Sequence, residues 1–109
     1  MRRVIVRYTV KPGQEGVNEK PVRVVYDELH QTQPTGLRYA TFRLDDGRTF
    51  AHVAVDETLH QRNPLLEVAA FRRFTDGIAG RCEIPPQTAE ADQIGSYRLF
   101  CKTTRKETP

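Results

Sequence analysis

The side chains of this 109-residue chain best equipped for chemistry lie between Leu37 and Val55, in LRYATFRLDDGRTFAHVAV. Tyr39, Thr41, Arg43, Phe50 and His52 stand at alternating positions on the two sides of Asp46-Gly47. An imidazole titrates near neutral pH, so His52 is the candidate catalytic residue, either as a base or as a contact for an anionic ligand. A phenol can meet a bound aromatic or ketone with its ring and its hydroxyl. Tyr8, Tyr39, Thr41, Arg43 and Phe50 are accordingly the candidate ligand-binding residues. An Arg43 guanidinium close to His52 would lower its pKa and favour the neutral ring.

These residues need strands to hold them. Asp-Gly between two alternating segments predicts a β-hairpin with a two-residue type I′ turn. That turn sets Arg43 opposite Phe50, Thr41 opposite His52 and Tyr39 opposite Ala54, and opposite residues share a face. One face is then Ala40, Phe42, Leu44, Ala51, Val53 and Val55, joined by Val4, Val6, Tyr8 and Val10, with Tyr97, Leu99 and Cys101. This nearly apolar set is the expected floor for the helices. The other face holds Leu37, Tyr39, Thr41, Arg43, Phe50, His52 and Ala54, with Ile5, Arg7, Ile94, Arg98 and Phe100. Exposed apolar patches mark interaction sites, so a second copy of the chain is expected to cover that face.

The remaining elements follow from periodicity. Arg3 to Val10 alternates as a strand and stops at Lys11-Pro12-Gly13. Val22, Val25, Tyr26 and Leu29 form one helical face. Asn18 caps that helix if Pro21 lies in its first turn; a start near Gln14 predicts a kink at Pro21. Asp56 to His60 suggests a short turn capped by Asp56. Asn63-Pro64 starts a second helix with Leu66, Ala70, Phe71, Phe74 and Ile78 on one side. Residues 81–93, with Pro85-Pro86, read as a loop, and Ile94 to Cys101 as the last strand. The order β-α-β-β-α-β favours an α+β ferredoxin-like fold: a four-stranded antiparallel sheet with both helices on one face. Residues 1–101 form one domain, and 102–109 a polar tail.

Composition removes several classes of function. No apolar run reaches the roughly 20 residues of a membrane span, and the Arg-broken start is no signal peptide, so a cytoplasmic protein is expected. Cys82 and Cys101 read as reduced thiols. His30, His52 and His60 stand apart, so neither metal nor cofactor is expected. His30 suits a helix C-terminus, and His60 and Arg72-Arg73 suit solvent. The net charge is +3, but Arg2, Arg3, Arg7 and the basic tail outweigh it, leaving residues 8–101 slightly acidic. A nucleic-acid footprint needs a basic face on the folded body, so nucleic acid is not an expected partner. An RNA-recognition arrangement shares this element order, but His52 stands where a second stacking aromatic would pair with Phe50.

VRYTVKPG, ELHQTQPTGLRYATF, DDGRTFAHVAV and AAFRRF resemble members of the dimeric α/β-barrel superfamily, which includes antibiotic-biosynthesis-monooxygenase-like domains. The resemblance covers about residues 3–101. It implies ferredoxin-like domains whose sheets pack face to face in a homodimer. It also implies a cofactor-independent monooxygenase-like or related enzyme acting on a small hydrophobic or aromatic metabolite. The alternative is a non-catalytic ligand-binding or structural dimerisation module. The family's oxygenases use a tryptophan with a first-strand asparagine, and its haem-degrading members a helical histidine. This chain has no tryptophan, no asparagine in Val4 to Val10 and no histidine in the helix after Asn63, so those roles pass to no residue here.

Overall fold

The computed structural model describes residues 2–58 and 64–99. Strand β1 (Arg2–Val10) leads into helix α1 (Glu15–Thr32), followed by β2 (Leu37–Arg43) and β3 (Thr49–Asp56). A 3-10 turn (Pro64–Glu67) precedes helix α2 (Ala69–Arg81), and β4 (Cys82–Glu90) completes the sheet. The strands lie in the order β2-β3-β1-β4 and all neighbours are antiparallel. This is the expected ferredoxin-like arrangement. None of the described helices is long and apolar enough to cross a membrane.

The hairpin has the expected register, with Arg43 opposite Phe50, Thr41 opposite His52 and Tyr39 opposite Ala54. Its turn differs from the type I′ expectation. Gly47 has φ +77°, but Asp46 is not left-handed, and the Gly47 N–H donates to the Leu44 carbonyl. Asp46 instead accepts hydrogen bonds from the Arg48 and Thr49 N–H groups and from the Thr49 hydroxyl. The carboxylate does the work that a second positive φ would have done.

The face assignment of the hairpin is reversed, whereas Val6, Tyr8 and Val10 meet the helices as expected. Pairing of β1 with β3 puts Val4 opposite Ala54, Val6 opposite His52 and Tyr8 opposite Phe50. Tyr8, Val10, Phe50 and Ala54 form one buried cluster with Val22 and Val25 of α1 and Ala70, Phe74 and Ile78 of α2. The helices therefore cover the His52 face, and no partner subunit is needed to do so. Ile5, Ala40, Phe42, Ala51, Val53 and Val55 occupy the other face, where Ile5 and Phe42 are exposed. The long aromatics need the depth beneath two helices, while alanine and valine suit a shallower contact.

The last strand also differs: residues 81–93 are mostly β4, and Ile94 to Leu99 are not a strand. Pro85-Pro86 reads as a loop, yet β4 is an edge strand, where a missing N–H breaks no ladder on the open side. Arg7 faces Gln87 and Thr9 faces Ile84, so two prolines stand opposite the single residue Tyr8 as a bulge. Ile94 and Tyr97 are almost fully exposed, and their alternation meets no neighbouring strand. Phe100, Cys101, the tail, His60 and the Asn63 cap lie outside the described residues.

Helix α1 starts at Glu15, so Asn18 lies inside it rather than at its cap, and Val22, Val25, Tyr26 and Leu29 face the core as expected. In the second helical segment Leu65 is buried and Leu66 exposed, because the 3-10 turn rotates the chain before α2 begins. Phe74 is 5% exposed and touches the rings of Tyr8, His52 and Phe71. Phe74→Ala is expected to cost about 3 kcal/mol. Urea unfolding should show a lower midpoint at an unchanged m-value.

Candidate functional site

Between the sheet and α2 lies a cavity of about 340 Å³. Val4 and Val6 from β1 and Phe71, Phe74 and Ile78 from α2 make it apolar. Pro86 and Thr88 of the bulged β4 complete one side. Its deep polar groups are Tyr8, Tyr39 and His52, which belong to three different strands.

These three form a continuous hydrogen-bonded row. The Tyr8 hydroxyl is 2.8 Å from His52 Nε2, and the Tyr39 hydroxyl is 2.8 Å from His52 Nδ1. Thr41 Oγ1 lies 3.1 Å from the same Nδ1 and 2.7 Å from the Tyr26 hydroxyl. At the other end, Asn18 Nδ2 donates to the Tyr8 oxygen at 2.9 Å, and Arg81 Nε donates to Asn18 Oδ1 at 2.9 Å. The row thus runs from the end of α2, through α1, across β1 and β3, to β2. Strand register sets its spacing: Val6 puts His52 one pleat along from Tyr8, and Thr41 sits directly across from His52.

Burial keeps the imidazole and the phenols of the row neutral. His52 is 4% exposed, and burial pulls its pKa down to about 4. Burial pushes Tyr8 up to about 12, although the hydrogen bond from Asn18 opposes it. Tyr26 is also raised to about 12 by burial, and Tyr39 is raised by burial and by the neighbouring phenols Tyr26 and Tyr8. Arg43 is not the cause of the His52 shift, since its guanidinium pairs with Glu19 at 3.3 Å on the surface. A cavity without a charged wall suits a neutral organic molecule better than an anion.

The structure brings Tyr8, Tyr39, Thr41 and His52 together. It sends Arg43 outward and buries Phe50 behind Tyr8, with the two rings stacked at 5.6 Å, outside the cavity lining. Phe50 and His52 face the helices, so they offer no stacking surface to RNA. Asn18 and Arg81 were not legible as site residues. The one signal was an asparagine inside a helical stretch, a poor helix former that needs a local reason to be there. Among the described residues, no three His, Cys, Asp or Glu side chains are grouped as metal ligands.

The ferredoxin-like fold is similar to that of several solved structures, some of them described as antibiotic biosynthesis monooxygenases. A Nitrosomonas europaea protein with a provisional antibiotic-biosynthesis-monooxygenase designation is 17% identical, with TM-score 0.70 over 85% of this chain and 89% of that one. A second Nitrosomonas europaea protein, of unknown function, is 15% identical with TM-score 0.69, covering 88% and 91%. A variant of SnoaB, a cofactor-independent oxygenase from Streptomyces nogalater, is 13% identical with TM-score 0.65, covering 87% and 94%. No family sequence profile matches the chain, and no curated protein matches it by sequence.

The His52 shift makes folding pH-dependent. The folded pKa lies below the ordinary 6.5, so the unfolded chain binds the proton first as pH falls. Stability is full above the unfolded value and is lost on acidification towards the folded one. From about pH 7 to about pH 5 the His52 contribution should fall by about 2 kcal/mol, an amount missing in His52→Gln. Urea midpoints of the two proteins at both pH values check this.

Proposed function

We propose that the chain is a small enzyme whose cavity holds a neutral hydrophobic or aromatic metabolite bearing an oxygen, with Tyr39 and His52 as the pair that stabilises negative charge on that oxygen. The observation that carries this reading is an apolar cavity of about 340 Å³ whose deep polar atoms belong to one neutral tyrosine–histidine row. Both ring nitrogens of His52 meet hydroxyls, so His52 reaches a ligand through Tyr39 rather than directly. The Tyr39 hydroxyl donates to the ligand oxygen, and the imidazole behind it steadies that donor as negative charge develops there. That stabilisation favours loss of an acidic ring proton to water, and the deprotonated substrate itself then reduces dioxygen in a cofactor-independent oxygenation. The likeness to a cofactor-independent oxygenase supports the same reading at the level of fold.

A ketone with an acidic ring position, such as anthrone, is a suitable probe. Dioxygen uptake above the buffer rate is expected with the wild-type chain. A loss on the order of 10²-fold is expected in His52→Phe and in Tyr39→Phe. Equal rates in all three would remove the pair from the chemistry and favour a binding module.

We also propose a homodimer, formed through the sheet face opposite the helices. Ile5 and Val53 are direct cross-strand neighbours there, and Ile5 is 40% exposed. A groove on the same face is bordered by Val53, Val55 and Leu99. A second sheet laid on this face would remove that apolar area from water, at about 25 cal/mol per Å². Val53→Lys should turn a dimer into a monomer in sedimentation at unchanged helix content. A wild-type chain that sediments as a monomer would contradict the proposal.

A further inference from the structure

We propose that Arg81 and Asn18 are positioning residues that hold His52 as its Nδ1–H tautomer, leaving the Tyr39 hydroxyl to donate to a carbonyl-type acceptor on the bound ligand. The ligand half of this inference rests on the cavity being the binding site proposed above. The tautomer half rests on geometry alone.

A guanidinium donates and never accepts. Arg81 Nε is 2.9 Å from Asn18 Oδ1, so turning the amide over would set donor against donor. Asn18 Nδ2 must therefore face Tyr8, whose oxygen receives that hydrogen bond at 2.9 Å. His52 Nε2 stands 2.8 Å from the same oxygen, and two proton patterns remain. In the first, Tyr8 donates its proton to Nε2, and Nδ1 carries the ring hydrogen towards Tyr39 and Thr41. In the second, Nε2–H also points at Tyr8, and the Tyr8 proton has no acceptor.

The second pattern strands a donor on a residue 2% exposed. An unmet buried donor carries its full desolvation penalty. The first pattern moves the open position to Tyr39, which is only partly buried, borders the cavity and has Thr41 within hydrogen-bonding reach. The direction fixed at Arg81 thus passes through four side chains and emerges as a donor at the cavity wall. A ligand oxygen that accepts completes the row. A ligand that presents only donors meets a second donor.

Nitrogen-15 spectra of the imidazole in the full chain read the tautomer. A protonated Nδ1 and an unprotonated Nε2 are expected, and the reverse assignment would overturn the proposal. Asn18→Asp supplies a carboxylate that accepts from Arg81 and Tyr8 together, so the Tyr8 proton turns away from His52. The ring should then switch to Nε2–H, whereas a merely structural role for Asn18 would leave a folded variant with its tautomer unchanged. The wild-type spectrum decides the point even if that variant does not fold.

Binding of 1-tetralone and of tetralin, followed by tyrosine fluorescence, tests the ligand half. The ketone should bind about fivefold to tenfold more tightly to the wild-type chain, the worth of one neutral hydrogen bond. Tyr39→Phe should abolish that preference and Asn18→Asp should shrink it. Equal affinity of the wild-type chain for both probes would overturn the selectivity while leaving the cavity as a binding site. Saturable binding of neither would overturn the binding-site reading and the selectivity together, with the tautomer still decided by the spectrum.

Discussion

Hydrogen bonds between buried side chains are what permit this core. Asn18 on the inner side of α1 and Tyr8 and His52 beneath the two helices are all buried, in a region that ordinarily holds only hydrocarbon. Among the described residues, no buried side-chain nitrogen or oxygen lacks a partner. Each member is tolerable because the next one answers it, so removing any one leaves its neighbour unmatched. The row also couples elements that the hydrophobic cluster alone would leave free to slide. Its distances fix α1 against β1, α2 against α1, and β2 against β3 at once. The apolar residues supply the driving force for collapse, and the polar row specifies how the layers register.

Local features of this arrangement were legible in the sequence, and long-range ones were not. The pairing of Thr41 with His52 follows from the position of Asp46-Gly47, since register is a local count from the turn. The helical face of Val22, Val25, Tyr26 and Leu29 follows from spacing in the same way. Which face the helices cover is a different kind of question. Both faces of β3 are largely apolar, so hydropathy does not separate them. Within β3 side-chain size does, Phe50 and His52 against Ala51 and Val53, although Phe42 of β2 lies on the open face. Phe50, Tyr39 and Tyr8 are deep and fill the space under helices; Ala51, Val53 and Ala40 are shallow.

β4 was missed for a related reason. Propensity penalises Pro85-Pro86 as strand residues, but the penalty applies to a strand with two neighbours, and β4 has one. Asn18 and Arg81 stand 63 positions apart. Their meeting depends on the packing of α1 against α2, which no local pattern encodes. The chemistry of the cavity is thus set largely by tertiary contacts, and the fold it shares with distant proteins does not by itself transfer their mechanisms.

The paired prolines of β4 also bear on what the sheet can do in company. An edge strand normally presents a row of unmet N–H and carbonyl groups to which any extended chain can add. At Pro85 and Pro86 the edge strand lacks two N–H donors, and the bulge interrupts its regular pairing where they fall. Growth by strand addition along this side is therefore interrupted. Association is directed to faces, which close after one partner, and away from an edge, which could recruit indefinitely towards a fibril.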